Sequence, residues 1–162
     1  MRRSARFAAA HQFICSILFA IAAYTHAAWA WAGLRSSRPT ADEQRLAIIL
    51  IILFTAGTFA TFIAVSWIAV RLTTWEAAYR GLRLPRDVVT RAMHYHAAHY
   101  LPVALITLAT ILGYQLLRQI NPMIELHGNW YLYILCAEVI LAAAYLFFSY
   151  WAGMKNLMFA NG

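Results

Sequence analysis

Hydrophobic positions in this chain neither alternate nor follow one narrow stripe. They come in four long blocks separated by short polar stretches. A helix crossing a bilayer needs about 20 predominantly apolar residues. Residues 13–33 ("FICSILFAIAAYTHAAWAWAG"), 46–70 ("LAIILIILFTAGTFATFIAVSWIAV"), 98–117 and 129–154 each meet that need. Each block is too long for a core strand and lacks the period-two pattern of a barrel strand. The pattern predicts an all-α integral membrane protein, a four-transmembrane-helix bundle forming one membrane domain over residues 1–162. Composition points the same way. Hydrophobic residues make up 63% of the chain and charged residues 12%, too little charge to cover a soluble surface.

The opening "MRRSARFAAAHQFICSILFAIAAYTHAAWA" has the basic, apolar and small-residue order of a secretory leader. Its apolar run is long enough to span, so a retained first helix is expected.

Net charge is +7. In a soluble chain that would raise the question of nucleic acid. In a membrane protein, Lys and Arg collect on the cytoplasmic side, so no nucleic-acid partner is needed to explain it. Arg2, Arg3, Arg6, Arg71, Arg80, Arg83, Arg86, Arg91 and Lys155 fall on one side of the four spans. Arg35, Arg38, Arg45 and Arg118 fall on the other. Both termini are therefore expected in the cytoplasm, with the bundle in a bacterial inner membrane and in contact with its lipids. Trp29, Trp31 and Trp130 would mark the outer interface, and Trp67, Trp75, Tyr150 and Trp151 the inner one.

The connection over residues 71–100 has helical signals of its own. Glu76 and Arg80, and Asp87 and Arg91, are oppositely charged pairs four residues apart. Gly81 breaks the pattern, and Pro85 suits a helix start. Spans two and three are expected to continue beyond the membrane and meet in a tight turn over 81–85. Such a hairpin would offer Arg80, Arg83, Arg86 and Arg91 to a soluble cytoplasmic partner. In the first outer loop, Thr40 with Glu43 three residues on forms a capping-box pattern. The second carries Pro122 and Gly128 as turn residues.

Polar residues inside the spans are costly and so informative. Glu138 lies nine residues into the fourth span, about 13 Å deep at 1.5 Å per residue. His26 lies seven residues from the outer end of the first, about 10 Å deep. The matching depths predict that Glu138 and His26 interact, with Tyr24 or Thr25 nearby. His11, His94, His96 and His99 gather at the inner end, and His26 and His127 toward the outer end. Histidines on different helices at each leaflet are what a di-haem bundle uses, with axial imidazoles on iron. If haem b is bound, His11, His26, His96 and His99 are the candidate ligands. His96 and His99 share a helical face on which a metal could sit with His11 as third ligand, but "HxxH" alone is a weak pattern. The simpler reading of "HYHAAHY" is an interfacial collar, because Tyr and His tolerate the headgroup zone. The two cysteines, Cys15 and Cys136, have no metal-type spacing.

The run "TRAMHYHAAHYLPVALITL" resembles the signature helix of the membrane-associated eicosanoid and glutathione metabolism family, small four-span trimers. With Pro102 on that family's proline, His94 takes the histidine position and Tyr100 the tyrosine. His96 and His99 then stand where the family has asparagine and glutamate, which carry much of its glutathione contact. The signature helix is also the family's second span, whereas this run begins the third. The resemblance covers about twenty residues and implies neither glutathione binding nor that activity for this chain.

Ala56, Ala60 and Ala64 form a small-residue stripe on span two beside Gly57 and Thr61, and Ala142 to Ala144 interrupt span four. Such residues let membrane helices approach closely. The chain carries no nucleotide loop, no nucleophile with a base and no redox cysteine pair. The expected role is a non-enzymatic subunit of a larger inner-membrane complex (respiratory, photosynthetic, transport or secretion), acting in assembly or stabilisation. The alternatives are a b-type cytochrome or quinone-reactive anchor, and a small proton or solute transporter using Glu138 and His26.

Overall fold

The computed structural model describes residues 2–32, 40–121 and 129–160. Five helices and one 3-10 turn account for nearly all of them: α1 (Arg2–Ala32), α2 (Ala41–Tyr79), α3 (Arg86–His96), the turn Ala97–His99, α4 (Tyr100–Ile120) and α5 (Asn129–Phe159). There is no strand among the described residues. Four rods are long and apolar enough to cross a membrane: α1, α2, α3 with α4, and α5. The protein is read as a membrane protein on that basis. The turn residues Pro122 and Gly128, as well as His127, Arg35 and Arg38, lie outside the described residues, as do the side chains of Trp29 and Trp31.

Local chemistry fixes the helix ends. Thr40 caps α2 through a complete capping box: its hydroxyl accepts from the Glu43 amide, and the Glu43 carboxylate accepts from the Thr40 amide at 2.9 Å. The far end of α2 closes in a Schellman arrangement. The Leu82 amide donates to the Ala77 carbonyl at 2.9 Å and the Gly81 amide to Ala78 at 3.0 Å. Gly81 supplies the left-handed backbone, with φ +76°. Pro85 then caps α3, and Asp87 sits in its first turn, where a carboxylate suits the helix dipole. The expected pairs form: Arg80 with Glu76 and Arg91 with Asp87. Spans two and three thus meet in a helical hairpin.

The 3-10 turn has a cause in Pro102. Proline has no amide to offer the Ala98 carbonyl, and its ring crowds that carbonyl. The chain tightens over Ala97–His99 instead, with the Tyr100 amide bonding to Ala97. In a 3-10 turn side chains three apart eclipse. The rings of His96 and His99 accordingly stand 5.1 Å apart.

The helices pack in three storeys. At the hairpin end, Val70 of α2 meets Val89 and Met93 of α3, flanked by Tyr150 and Leu157 of α5. In the middle, Ala8 and Cys15 of α1 meet Ala97, Tyr100 and Ala104. At the far end, Ala22 meets Ile111 of α4 and Tyr131 of α5. Buried positions on α1 are mostly small: Ser4, Ala8, Cys15, Ser16, Ala20 and Ala22. Lipid tails are as apolar as leucine, so close packing and polar ties hold such helices together rather than the hydrophobic effect. α1 is the central strut, contacting α2, α3 and α4. The buried residues of α2, Val70, Thr73 and Ala77, all lie near its hairpin end. Its apolar run from Leu46 onward faces outward.

Candidate functional site

Hydroxyls along the helices mostly close on their own backbone. Ser16 donates to the Gln12 carbonyl, Thr25 to Ile21, Thr55 to Ile51 and Thr61 to Gly57. That removes the cost of an unmet donor in hydrocarbon. The polar groups that instead reach across helices form three sites.

The first is central. Gln12, buried on α1, donates to the Ser66 hydroxyl of α2 at 2.8 Å. The Tyr100 ring stacks on Phe62 of α2 at 4.7 Å. Sequence reading overlooked this tie. Its signal was there, since a glutamine at the edge of an apolar block calls for a partner.

The second site holds the histidine cluster at the hairpin end. His94 meets the Ser4 hydroxyl of α1 at 3.2 Å, and Tyr95 lies 5.4 Å from Phe7. His99 bonds the Tyr145 hydroxyl of α5 at 2.7 Å, and His96 stands edge-on to Tyr150. Thr73 spends its proton on the Ala69 carbonyl, so Tyr150 donates to the Thr73 oxygen at 2.8 Å. The cluster therefore ties α3 and the 3-10 turn to both α1 and α5. His94 does point away from His96 and His99, as the helical spacing implies. His11 donates from Nδ1 to the Phe7 carbonyl on its own helix at 2.9 Å. The structure does not gather His11 with His96 and His99 into a site: no group of three His, Cys, Asp or Glu able to hold a metal occurs among the described residues.

The third site lies toward the opposite end. His26 Nδ1 stands 2.8 Å from the Tyr131 hydroxyl of α5, and Tyr131 stacks on Tyr114 of α4 at 4.2 Å. Gln115 donates to the Thr25 carbonyl at 3.0 Å. Beside them opens a cleft of about 420 Å³ lined by Tyr24, Thr25, Ala28, Gln115, Arg118 and Gln119. Glu138 lies deeper. Both of its carboxylate oxygens are buried, and neither has a hydrogen-bond partner. The expected pair between Glu138 and His26 therefore does not form. Helix register is the reason. Level span ends put the two residues at one depth. In the fold His26 is level with Tyr131, the third residue of α5, which leaves Glu138 two turns, or about 10 Å, further in.

The remaining candidates are peripheral. Arg80, Arg83, Arg86 and Arg91 are exposed on the hairpin. Glu76 and Asp87 pair with two of them. Arg71 stacks over Trp67 and Lys155 over Trp151, each about 5 Å from the ring. Cys15 is buried in the middle storey and Cys136 is exposed on α5. Comparison with known proteins finds no family model, no curated protein and no solved structure that matches this chain.

Proposed function

We propose that the protein is a non-enzymatic four-span subunit of a larger membrane complex, most simply one of a bacterial inner membrane, serving its assembly or stability. One observation carries this reading. The small-residue stripe of α2 (Ala56, Gly57, Ala60, Thr61 and Ala64) faces out of the bundle. A side chain built on Gly57 would meet nothing within 4 Å. Small residues turned toward lipid forgo packing, whereas a second helix can approach them closely. The partner is accordingly another membrane subunit. The exposed arginines of the hairpin supply a second contact, for a soluble or headgroup-level partner of opposite charge.

The test is gentle extraction followed by native gel and mass spectrometry of what travels with the chain. The wild type should migrate with larger partners, and Gly57→Leu with Ala60→Leu should release it while its own unfolding midpoint stays put. Migration of the wild type alone would refute the reading. The haem alternative separates in the same sample: a b-type cytochrome would show a Soret band that is lost on replacing His26 or His99.

A further inference from the structure

One side of α5, running from the buried Tyr131 to the exposed Tyr145, has an unusual content. Tyr131, Glu138 and Tyr145 recur at seven-residue spacing, two turns apart, so they share one side of the helix. Each tyrosine hydroxyl is bonded to a histidine from another element: Tyr131 to His26 at 2.8 Å and Tyr145 to His99 at 2.7 Å. Glu138 stands between these pairs, its two oxygens buried and unbonded. Unpaired carboxylates in hydrocarbon are strongly disfavoured. Two things could remove that cost, a cationic partner or a proton. Because the oxygens face inside this chain's own bundle with almost no accessible surface, a lysine or arginine of a neighbouring subunit could not reach them without opening the helices. A proton removes the charge without any partner.

We propose that α5 carries a proton relay, His26–Tyr131–Glu138–Tyr145–His99, with Glu138 as its central proton-exchanging group. Among the described residues, Tyr24 of α1 and Tyr114 and Arg118 of α4 are further titratable or charged groups near its far half. Toward that end, Glu138 gives its proton to the Tyr131 oxygen as Tyr131 passes its own to His26 Nδ1. His26 then releases the proton on Nε2. One proton enters, one leaves and no electrons move; the ring then turns Nδ1 toward water, where loss of a proton from Nδ1 and uptake of one at Nε2 restore the tautomer. The same exchange through Tyr145 and His99 reloads the carboxylate from the hairpin end. Each two-turn gap, about 10 Å along the axis, is crossed by side-chain swings and transient water.

The proposal stands apart from the subunit reading, because it is read on the chain alone. Purified full-length protein is placed in liposomes holding a pH-sensitive dye, and a potassium diffusion potential drives protons inward. The expected result is dye acidification well above empty liposomes. It should fall to the empty-liposome rate in Glu138→Gln and by about tenfold or more in Tyr131→Phe and in Tyr145→Phe. Tyr133→Phe, on the exposed face of α5, is the control and should conduct as the wild type does. Circular dichroism and gel filtration confirm that each variant is folded; if Glu138→Gln is not, the two tyrosine variants decide. A wild type no faster than empty liposomes overturns the relay. So does wild-type flux in folded Glu138→Gln or in both tyrosine variants. Partner capture is unaffected by either result.

Discussion

At the scale of single residues, the bundle is tied by polar side chains that, Glu138 apart, reach named partners on other helices. Gln12 shows how much one such group carries. It is 4% exposed, and its amide reaches across to Ser66, tying α1 to α2. Measured hydrogen bonds between membrane helices are worth roughly 0.6 kcal/mol on average, because the separated helices find other partners. Removing the amide also leaves Ser66 with one bond fewer in a buried place. Gln12→Ala should therefore lower stability by about 1 kcal/mol, seen as an earlier midpoint when the folded protein is titrated with denaturing detergent. Gln12→Glu should do worse, since it puts a carboxylate charge at a buried position. A midpoint unchanged in both variants would show that Ser66 is satisfied without α1.

At the scale of helices, what the sequence made legible was whatever depends on neighbours along the chain. The capping box at Thr40, the pairs at Glu76 and Asp87, the stop at Gly81 and the start at Pro85 are all set by spacings of three or four residues, and all are found as expected. The 3-10 turn at Ala97–His99 was missed although Pro102 announces it. Contacts between helices were the other omission. His26 meets Tyr131 rather than Glu138 because composition gives the length of a span but not its height against its neighbours. The seven-residue recurrence of Tyr131, Glu138 and Tyr145 needed only the sequence, yet the histidines that answer the two tyrosines come from other helices. Among these local devices Gly81 is the cleanest to test. Its φ of +76° is a conformation side chains avoid, while the space around it is open. Gly81→Ala thus probes the backbone alone. It should cost about 1 kcal/mol, with loss of protection of the Leu82 amide in hydrogen exchange and no change at the far end of the bundle.

At the scale of the whole molecule, length and charge together bear on how the bundle sits in a bilayer. α2 has 39 residues, about 58 Å at the helical rise, against a hydrocarbon core of about 30 Å. Part of it must stand clear of the lipid tails. The contents choose which part. From Leu46 to Val70 no charged residue occurs, and from Arg71 onward they return. The cation-π stacks of Arg71 on Trp67 and Lys155 on Trp151 put a basic and aromatic band at that boundary on both α2 and α5. The same end of the bundle receives the start of α1, since Ser4 meets His94, and the last turns of α5, since Leu157 packs by Val89 and Met93. Arg2, Arg3 and Arg6 there sit in the first turns of α1, where the helix dipole disfavours cations. Helix stability does not explain them; retention of basic charge on a cytoplasmic side would. The hairpin and both ends of the described chain should therefore face the cytoplasm. Single cysteines at Arg83 and at Glu43, in a background lacking Cys15 and Cys136, test this in whole cells with a membrane-impermeant maleimide. Position 43 should label from outside, and position 83 only after the cells are broken. Labelling of position 83 in intact cells would reverse the orientation and turn the arginine hairpin away from any cytoplasmic partner.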